Sequence, residues 1–115
     1  MNATAIPVDG IPADTAAAEL IISHGHFLHC GAFRRAITIA TSISTGQPLA
    51  VISWHAALHA LEDGQLPCAS SEQAILRIAA SLGDPGIPVQ LRSVLGNLDT
   101  RNITLAAAAI TTANG

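Results

Sequence analysis

The sequence predicts a mainly α-helical fold of the α+β class, with about five short helices and one β-hairpin near residues 34–52. Apolar residues recur at helical spacing through most of the chain. Between residues 34 and 52, β-branched residues instead alternate with period two. A chain of 115 residues fits one domain. We expect residues 1–12 to be an irregular N-terminal leader and residues 13–115 to form a single compact helical domain.

The first helix should begin near Thr15, with Asp14 as its N-cap, and should end at Gly25. Its inward-facing residues are Ala18, Ile21 and Ile22. The connector that follows, residues 26–31, carries no clear pattern and is left without an assigned structure.

The hairpin is predicted from a change of period. Ile37 and Ile39 alternate with small residues, which indicates a strand, and residues 44–47 have the composition of a turn. Residues 49–52 would return as the second strand. A helix over residues 33–43 is the alternative, because larger side chains also recur there at every fourth position.

A pair of helices between residues 53 and 82 is the most clearly patterned stretch of the chain. Ser53 is placed to cap the first helix, and Gly64 to end it in a left-handed conformation. Ser70 is the expected N-cap of the second helix, with Gln73 closing a capping box.

Two further helices are predicted over residues 89–97 and 100–113, the second of them capped by Asp99. Large apolar side chains on the faces of the last four helices should form the core. These residues are Trp54, Leu58, Leu61, Ile75, Ile78, Leu82, Leu91, Leu95, Ile103 and Ile110.

The amino-acid composition of the chain limits the classes of function that it can have. Charged residues make up 11% of the chain, the net charge is −3 and every cation is an arginine, so nucleic acid is a poor partner. No apolar run reaches the roughly 18–20 residues of a membrane span, and the N-terminus lacks the pattern of a secretory signal. Two cysteines are too few for a disulfide framework, which favours a cytoplasmic protein. The low charge favours a protein partner or a homodimer.

The main chemical hypothesis is a zinc site formed by two histidine clusters, residues 23–30 and residues 55–62. The candidate metal ligands are His55, His59, Glu62, His26, His29 and Cys30. The first three are spaced to share one helix face, and the connector residues would complete a tetrahedron if the connector folded back onto that helix. The competing interpretation is a set of ordinary solvent-facing histidines, because neither H-E-x-x-H nor C-x-x-C occurs.

Two other hypotheses are weaker. Cys68 precedes a helix N-terminus, whose positive potential can lower a thiol pKa, but only folding could bring His55 or His59 to it as a base. The last two helices have the outline of a helix-turn-helix, in which Arg101, Asn102 and Thr104 would be the polar residues of the recognition helix. That helix is otherwise apolar, which argues against a DNA groove.

The segments HGHFL, ISWHAALHALEDGQLPC, SSEQAILRIAASL and LGNLDTRNITLAAAAI resemble small, functionally uncharacterised actinobacterial proteins that are often associated with mobile or plasmid-type elements. The resemblance covers most of residues 24–115. It implies no activity and no site residues, and it favours a cytoplasmic, non-enzymatic protein.

Together these observations predict a small non-enzymatic accessory or regulatory protein that acts through protein–protein contacts, as a homodimer. A zinc-binding protein is the first alternative, and a helix-turn-helix DNA-binding regulator is the second. No catalytic or cofactor-binding residue is assigned.

Overall fold

The computed structural model describes residues 12–41, 43 and 45–114, so the predicted leader lies outside it apart from Pro12. Its elements, in chain order, are α1 (Pro12–His24), a 3₁₀-helix (Phe27–His29), α2 (Gly31–Arg34), β1 (Ile37–Thr41), β2 (Pro48–Ile52), α3 (Trp54–Glu62), α4 (Ser70–Gly83), α5 (Leu91–Leu95) and α6 (Thr100–Ala113). This is the predicted mainly α fold with one hairpin. The connector that had no assigned structure forms the 3₁₀-helix and the single turn of α2.

The hairpin is confirmed. β1 and β2 pair antiparallel, with Ile37 opposite Ile52 at the base and Thr41 opposite Pro48 near the turn. Below the ladder, the Ser53 N–H donates to the Ala36 carbonyl oxygen at 2.8 Å. The alternative helix over residues 33–43 is therefore wrong, because α2 ends at Arg34 and the chain is extended from Ile37 to Thr41.

Three helix ends form as the sequence predicts. The Ser53 hydroxyl accepts from the Ala56 N–H at 3.2 Å, and the Asp99 carboxylate accepts from the Asn102 N–H at 2.8 Å. Gly64 has a φ of 75°, which a residue with a Cβ rarely adopts, and it ends α3. Side-chain capping and backbone chirality are local effects, so these ends are readable from short stretches of sequence.

Two predicted helix starts are wrong. α1 begins at Pro12, a favoured first helical residue, so Asp14 lies inside the first turn and does not cap it. The N-cap of α4 is Ala69, one residue before the predicted Ser70. Glu72, not Gln73, reaches back from the third position and accepts from the Ala69 N–H at 2.7 Å. The carboxylate is the stronger acceptor, which favours this register.

The core is built around α1, which lies against both α4 and α6. Much of the buried surface between these helices comes from alanine, including Ala16, Ala17, Ala79, Ala80 and Ala106. The largest fully buried side chains include Phe27 and Phe33, whose ring centroids are 5.7 Å apart. Small side chains let helix backbones approach closely. Phe33 lies near Ile37 and Ile52 at the base of the hairpin.

Six of the ten predicted core residues are buried or half-buried: Trp54, Leu61, Ile75 and Ile78 are buried, and Leu58 and Leu82 are half-buried. The other four are exposed, namely Leu91, Leu95, Ile103 and Ile110. α6 instead turns Asn102, Ala106 and Ala109 inward, and α5 buries Val94. The physical reason is that the alanine-rich surface of α1 accepts a small-residue face of α6 at close range, where an isoleucine face would not fit.

Candidate functional site

A group of polar, chemically capable side chains lies where the connector meets the start of α4. Gly25, with a φ of 90°, turns the chain after α1. His26 then places Nδ1 3.3 Å from Glu72 Oε2 and Nε2 3.1 Å from the Pro67 carbonyl oxygen. The Cys30 Sγ lies 3.6 Å from the same His26 Nε2. One imidazole therefore links the connector, the α3–α4 loop and the first turn of α4.

Thiol, imidazole and carboxylate stand here in the order of a cysteine nucleophile, its base and an orienting acid. The electrostatics oppose that use. The Nε2 that would deprotonate Cys30 also faces the Pro67 carbonyl oxygen, a contact that requires an N–H at that nitrogen. Burial, followed by the nearby Glu72 carboxylate, raises the pKa of the Cys30 thiol. The contacts of His26 are those of a residue that holds three segments of the chain together, and not those of a base that activates the Cys30 thiol.

Cys68 does not have the lowered pKa that its place before a helix suggested. Burial raises the pKa of its thiol, and Glu72 and Cys30 raise it further. Cys68 and Cys30 are both free thiols. His55 and His59, the two histidines predicted as its possible base, contact acidic residues instead.

The six candidate metal ligands are not brought together. His55 Nε2 lies 3.2 Å from Asp84 Oδ2, and His59 Nδ1 lies 3.1 Å from Asp63 Oδ2, so the two helix histidines contact different carboxylates. Both are exposed, as are Glu62 and His29. His26 and Cys30 are the two that meet, beside α4 rather than α3. Across the described residues, no group of three or more His, Cys, Asp or Glu side chains could hold a metal ion.

His24 is the buried histidine of residues 24–30. Its Nδ1 accepts from the His26 N–H at 3.4 Å. Arg101 of α6 donates to the carbonyl oxygens of Ser23 and His24 at 3.3 and 3.2 Å. Burial, with a further contribution from Arg101, lowers the pKa of His24. The contact joins residues far apart in sequence, so no local pattern could have revealed it.

The polar residues of the supposed recognition helix are engaged inside the chain. Arg101 caps the end of α1, and Asn102 is buried, with its Nδ2 donating to Ser71 Oγ at 2.7 Å. The Thr104 hydroxyl donates to the Thr100 carbonyl oxygen one turn back. In this arrangement these three side chains hold α6 to α1 and α4, or bond within α6 itself.

The hairpin carries the most exposed large apolar side chain on a helix or strand among the described residues, Ile39. Ile39 is 64% exposed and Val51 50% exposed. Ile39 is paired with Ala50, so Val51, one residue further along β2, points to the opposite face of the hairpin. Neither face of the hairpin is therefore fully covered by the helices. No Asp, Glu, Lys or Arg occurs between Arg35 and Glu62.

None of the helices in the described ranges has the length and apolar character needed to cross a membrane. Comparison with protein-family models, with curated proteins and with solved structures found no match to this chain. The resemblance to small actinobacterial mobile-element proteins therefore stays a prediction.

Proposed function

We propose that this is a non-enzymatic accessory protein that acts through protein–protein contacts, and that its hairpin is the contact element. The partner in this proposal is a second copy of the chain. The observation that carries it is the outer edge of β1, which is exposed from Thr38 to Thr41 and has no charged side chain. A cytoplasmic location belongs to the same proposal and is supported by the two free thiols.

An open strand edge is a strong pairing surface. In the described part of the chain the sheet has two strands, so each strand has an edge without a neighbour. Backbone N–H and C=O groups on such an edge can pair with another strand. Natural edge strands are usually protected from pairing by charges, especially lysine, or by proline. β1 has neither.

β1 is the better of the two edges. β2 begins with Pro48, which cannot donate a backbone hydrogen bond, and its Ala50 and Ile52 are half-buried against the body of the protein. Antiparallel pairing of β1 with β1 of a second copy is compatible with a two-fold axis, the commonest symmetry of soluble dimers. The product is a four-stranded sheet, which buries more apolar surface than an isolated hairpin, itself marginally stable.

The test is the mass of the protein in solution, measured by sedimentation equilibrium or light scattering. We expect the wild-type chain to be a dimer and Ile39→Lys to be a monomer, because lysine on a strand edge opposes pairing and two copies would repel each other. Ile110→Lys is the matched control. Ile110 is 49% exposed on α6, so the same chemical change there should leave the dimer intact.

A wild-type monomer at all accessible concentrations would overturn the homodimer. Equal loss of dimer in both lysine variants would place the contact elsewhere or indicate a general effect of added charge. Circular dichroism of Ile39→Lys, with an unchanged helical spectrum, excludes loss of the fold as the cause.

A further inference from the structure

A cleft of about 320 Å³ opens between α1, the base of the hairpin, the start of α3 and the end of α4. Its walls are mainly hydrocarbon, with Ile21, Phe33, Ile52 and Trp54 among the larger side chains. This volume lies in the range of small-molecule sites, which are concave and mostly apolar with a few polar groups that orient the ligand. The hairpin edge proposed for dimerisation does not line it.

Two of the polar side chains that line the cleft are carboxylates, and Ser53 and His55 line it as well. Asp14 and Asp84 both line it, together with His55, whose Nε2 contacts Asp84 at 3.2 Å. The side chains of His55 and Asp84 are 75% and 33% exposed, so this end of the cleft opens to solvent. No arginine lines the cleft within the described residues, and the chain contains no lysine. The cleft is therefore lined by two carboxylates and one imidazole, and the imidazole contacts the Asp84 carboxylate.

The backbone adds to the negative potential. Asp84 is the C-cap of α4, where the carbonyl ends of the helix already carry partial negative charge. Its Oδ1 accepts from the Gly86 N–H at 2.8 Å, which holds the carboxylate in place. Burial, with the Asp84 carboxylate as the second cause, raises the pKa of Asp14. A cation seated between the two carboxylates would relieve this repulsion.

We propose that the cleft binds a small apolar amine, with the hydrocarbon part against Trp54 and Ile21 and the ammonium group between Asp14 and Asp84. Neutral and anionic ligands with the same hydrocarbon would make the same apolar contacts, but they would lack the charge pairing or oppose it. The experiment must therefore compare the affinities of the three ligand types, because binding of the hydrocarbon alone does not show a preference for the cation.

Trp54 provides a reporter, because it is the single tryptophan of the chain and lines the cleft. The experiment titrates octylamine, 1-octanol and octanoate into the full chain, each below its micelle or solubility limit, and follows Trp54 emission. Saturation-transfer NMR on the ligands gives a second readout that does not depend on the indole. We expect octylamine to bind about three- to tenfold more tightly than octanol, and octanoate most weakly.

Asp14→Asn should remove most of the preference for octylamine over octanol and leave octanol binding unchanged. The matched control is Asp63→Asn, which removes a carboxylate that contacts His59 outside the cleft and should keep the wild-type preference. Equal affinity for the three ligands, tighter binding of octanoate, or no binding up to millimolar concentration would each overturn the proposal. A preference that survives Asp14→Asn and Asp84→Asn would overturn the assignment of these carboxylates. Ile39→Lys, which tests the dimer, should not alter any of these affinities.

Discussion

Trp54 packs on the end of α4 at a point where the backbone carries no side chain. A Cβ placed on Gly83 would overlap the Trp54 indole nitrogen. The indole is buried, so a shift away from Gly83 would disturb its packing. The identity of Gly83 is therefore set by close approach and not by an unusual backbone angle.

Gly83→Ala should destabilise the fold by about 1–3 kcal/mol, because the new methyl group forces the indole to shift within a packed core. Urea unfolding gives the free energy, and a changed Trp54 emission maximum in the native state reports the displacement. Gly96→Ala is the control, since a Cβ there meets its nearest atom at 3.7 Å and the residue has an ordinary helical backbone. It should be neutral or slightly stabilising, and an equal loss in both variants would contradict the packing explanation.

His24 makes stability depend on pH. Its folded-state pKa lies below the ordinary value of 6.5, so the unfolded chain binds its proton first as the pH falls. The contribution of neutral His24 is therefore complete above about pH 6.5 and is lost as the pH falls through the folded-state pKa.

Between pH 7.5 and 5.5 the urea midpoint of the wild-type chain should fall, and it should fall less in His24→Asn. The asparagine Oδ1 can replace Nδ1 as acceptor for the His26 N–H without titrating. His29→Asn, at an exposed site, should keep the wild-type pH dependence. A slope unchanged in His24→Asn would show that another group causes it.

At the scale of the elements, Ser71 joins the N-termini of α4 and α6. Its Oγ accepts from the Asp99 N–H at 3.2 Å and from Asn102 Nδ2 at 2.7 Å. Asn102 is buried, and its Oδ1 has no hydrogen-bond partner among the described residues. The α4–α6 contact thus depends on one hydroxyl that satisfies two donors.

Ser71→Ala should cost about 1–3 kcal/mol, because it leaves the buried Asn102 amide without an acceptor. Removing the amide as well, in Ser71→Ala/Asn102→Ala, should cost less than the sum of the two single changes. Ser93→Ala, which removes an exposed hydroxyl on α5, should change the unfolding free energy by less than about 0.5 kcal/mol. Additive effects at positions 71 and 102 would contradict the shared bond.

Some features of the helices could be predicted from the sequence, and others could not. Ser53, Gly64 and Asp99 end or begin helices through contacts within four residues, so their roles were predictable. The inward face of α6 was not. This helix has an isoleucine side and an alanine side, and periodicity alone cannot say which faces the core. The face of α6 that turns inward is determined by packing against α1, which is far away in the sequence.

The same limit applies to the candidate sites. Helical spacing placed His55 and His59 near each other, and the contact of His59 with Asp63 is a local i,i+4 pair. The spacing could not show that His55 contacts Asp84 at the end of α4. The cleft was not visible from the sequence because its wall residues come from both ends of α1, from the hairpin, from the 3₁₀-helix and from the helices α2, α3 and α4. The uncharged stretch around the hairpin, by contrast, can be read directly, and it supports the dimer proposal.

At the scale of the whole molecule, a dimer formed through β1 would couple folding to association. The melting temperature of the wild-type chain would then rise with protein concentration, because mass action favours the dimer over unfolded monomers. The Ile39→Lys variant would lack this dependence while keeping the same helical core. This adds a thermodynamic readout to the mass measurement on the same pair of proteins.

The alanine-lined contacts of α1 also determine which mutations the chain can tolerate. Truncation to a smaller side chain removes little at Ala16, Ala17 or Ala106, because an alanine has only one methyl group to lose. Substitution by a larger side chain is the destabilising change, because an added methylene in a tight helix contact costs about 1–3 kcal/mol. Single-base changes of an alanine codon give valine, serine, threonine, proline, aspartate, glutamate or glycine, and all but glycine are larger. Random substitutions would therefore destabilise this core mainly by adding side-chain volume to it.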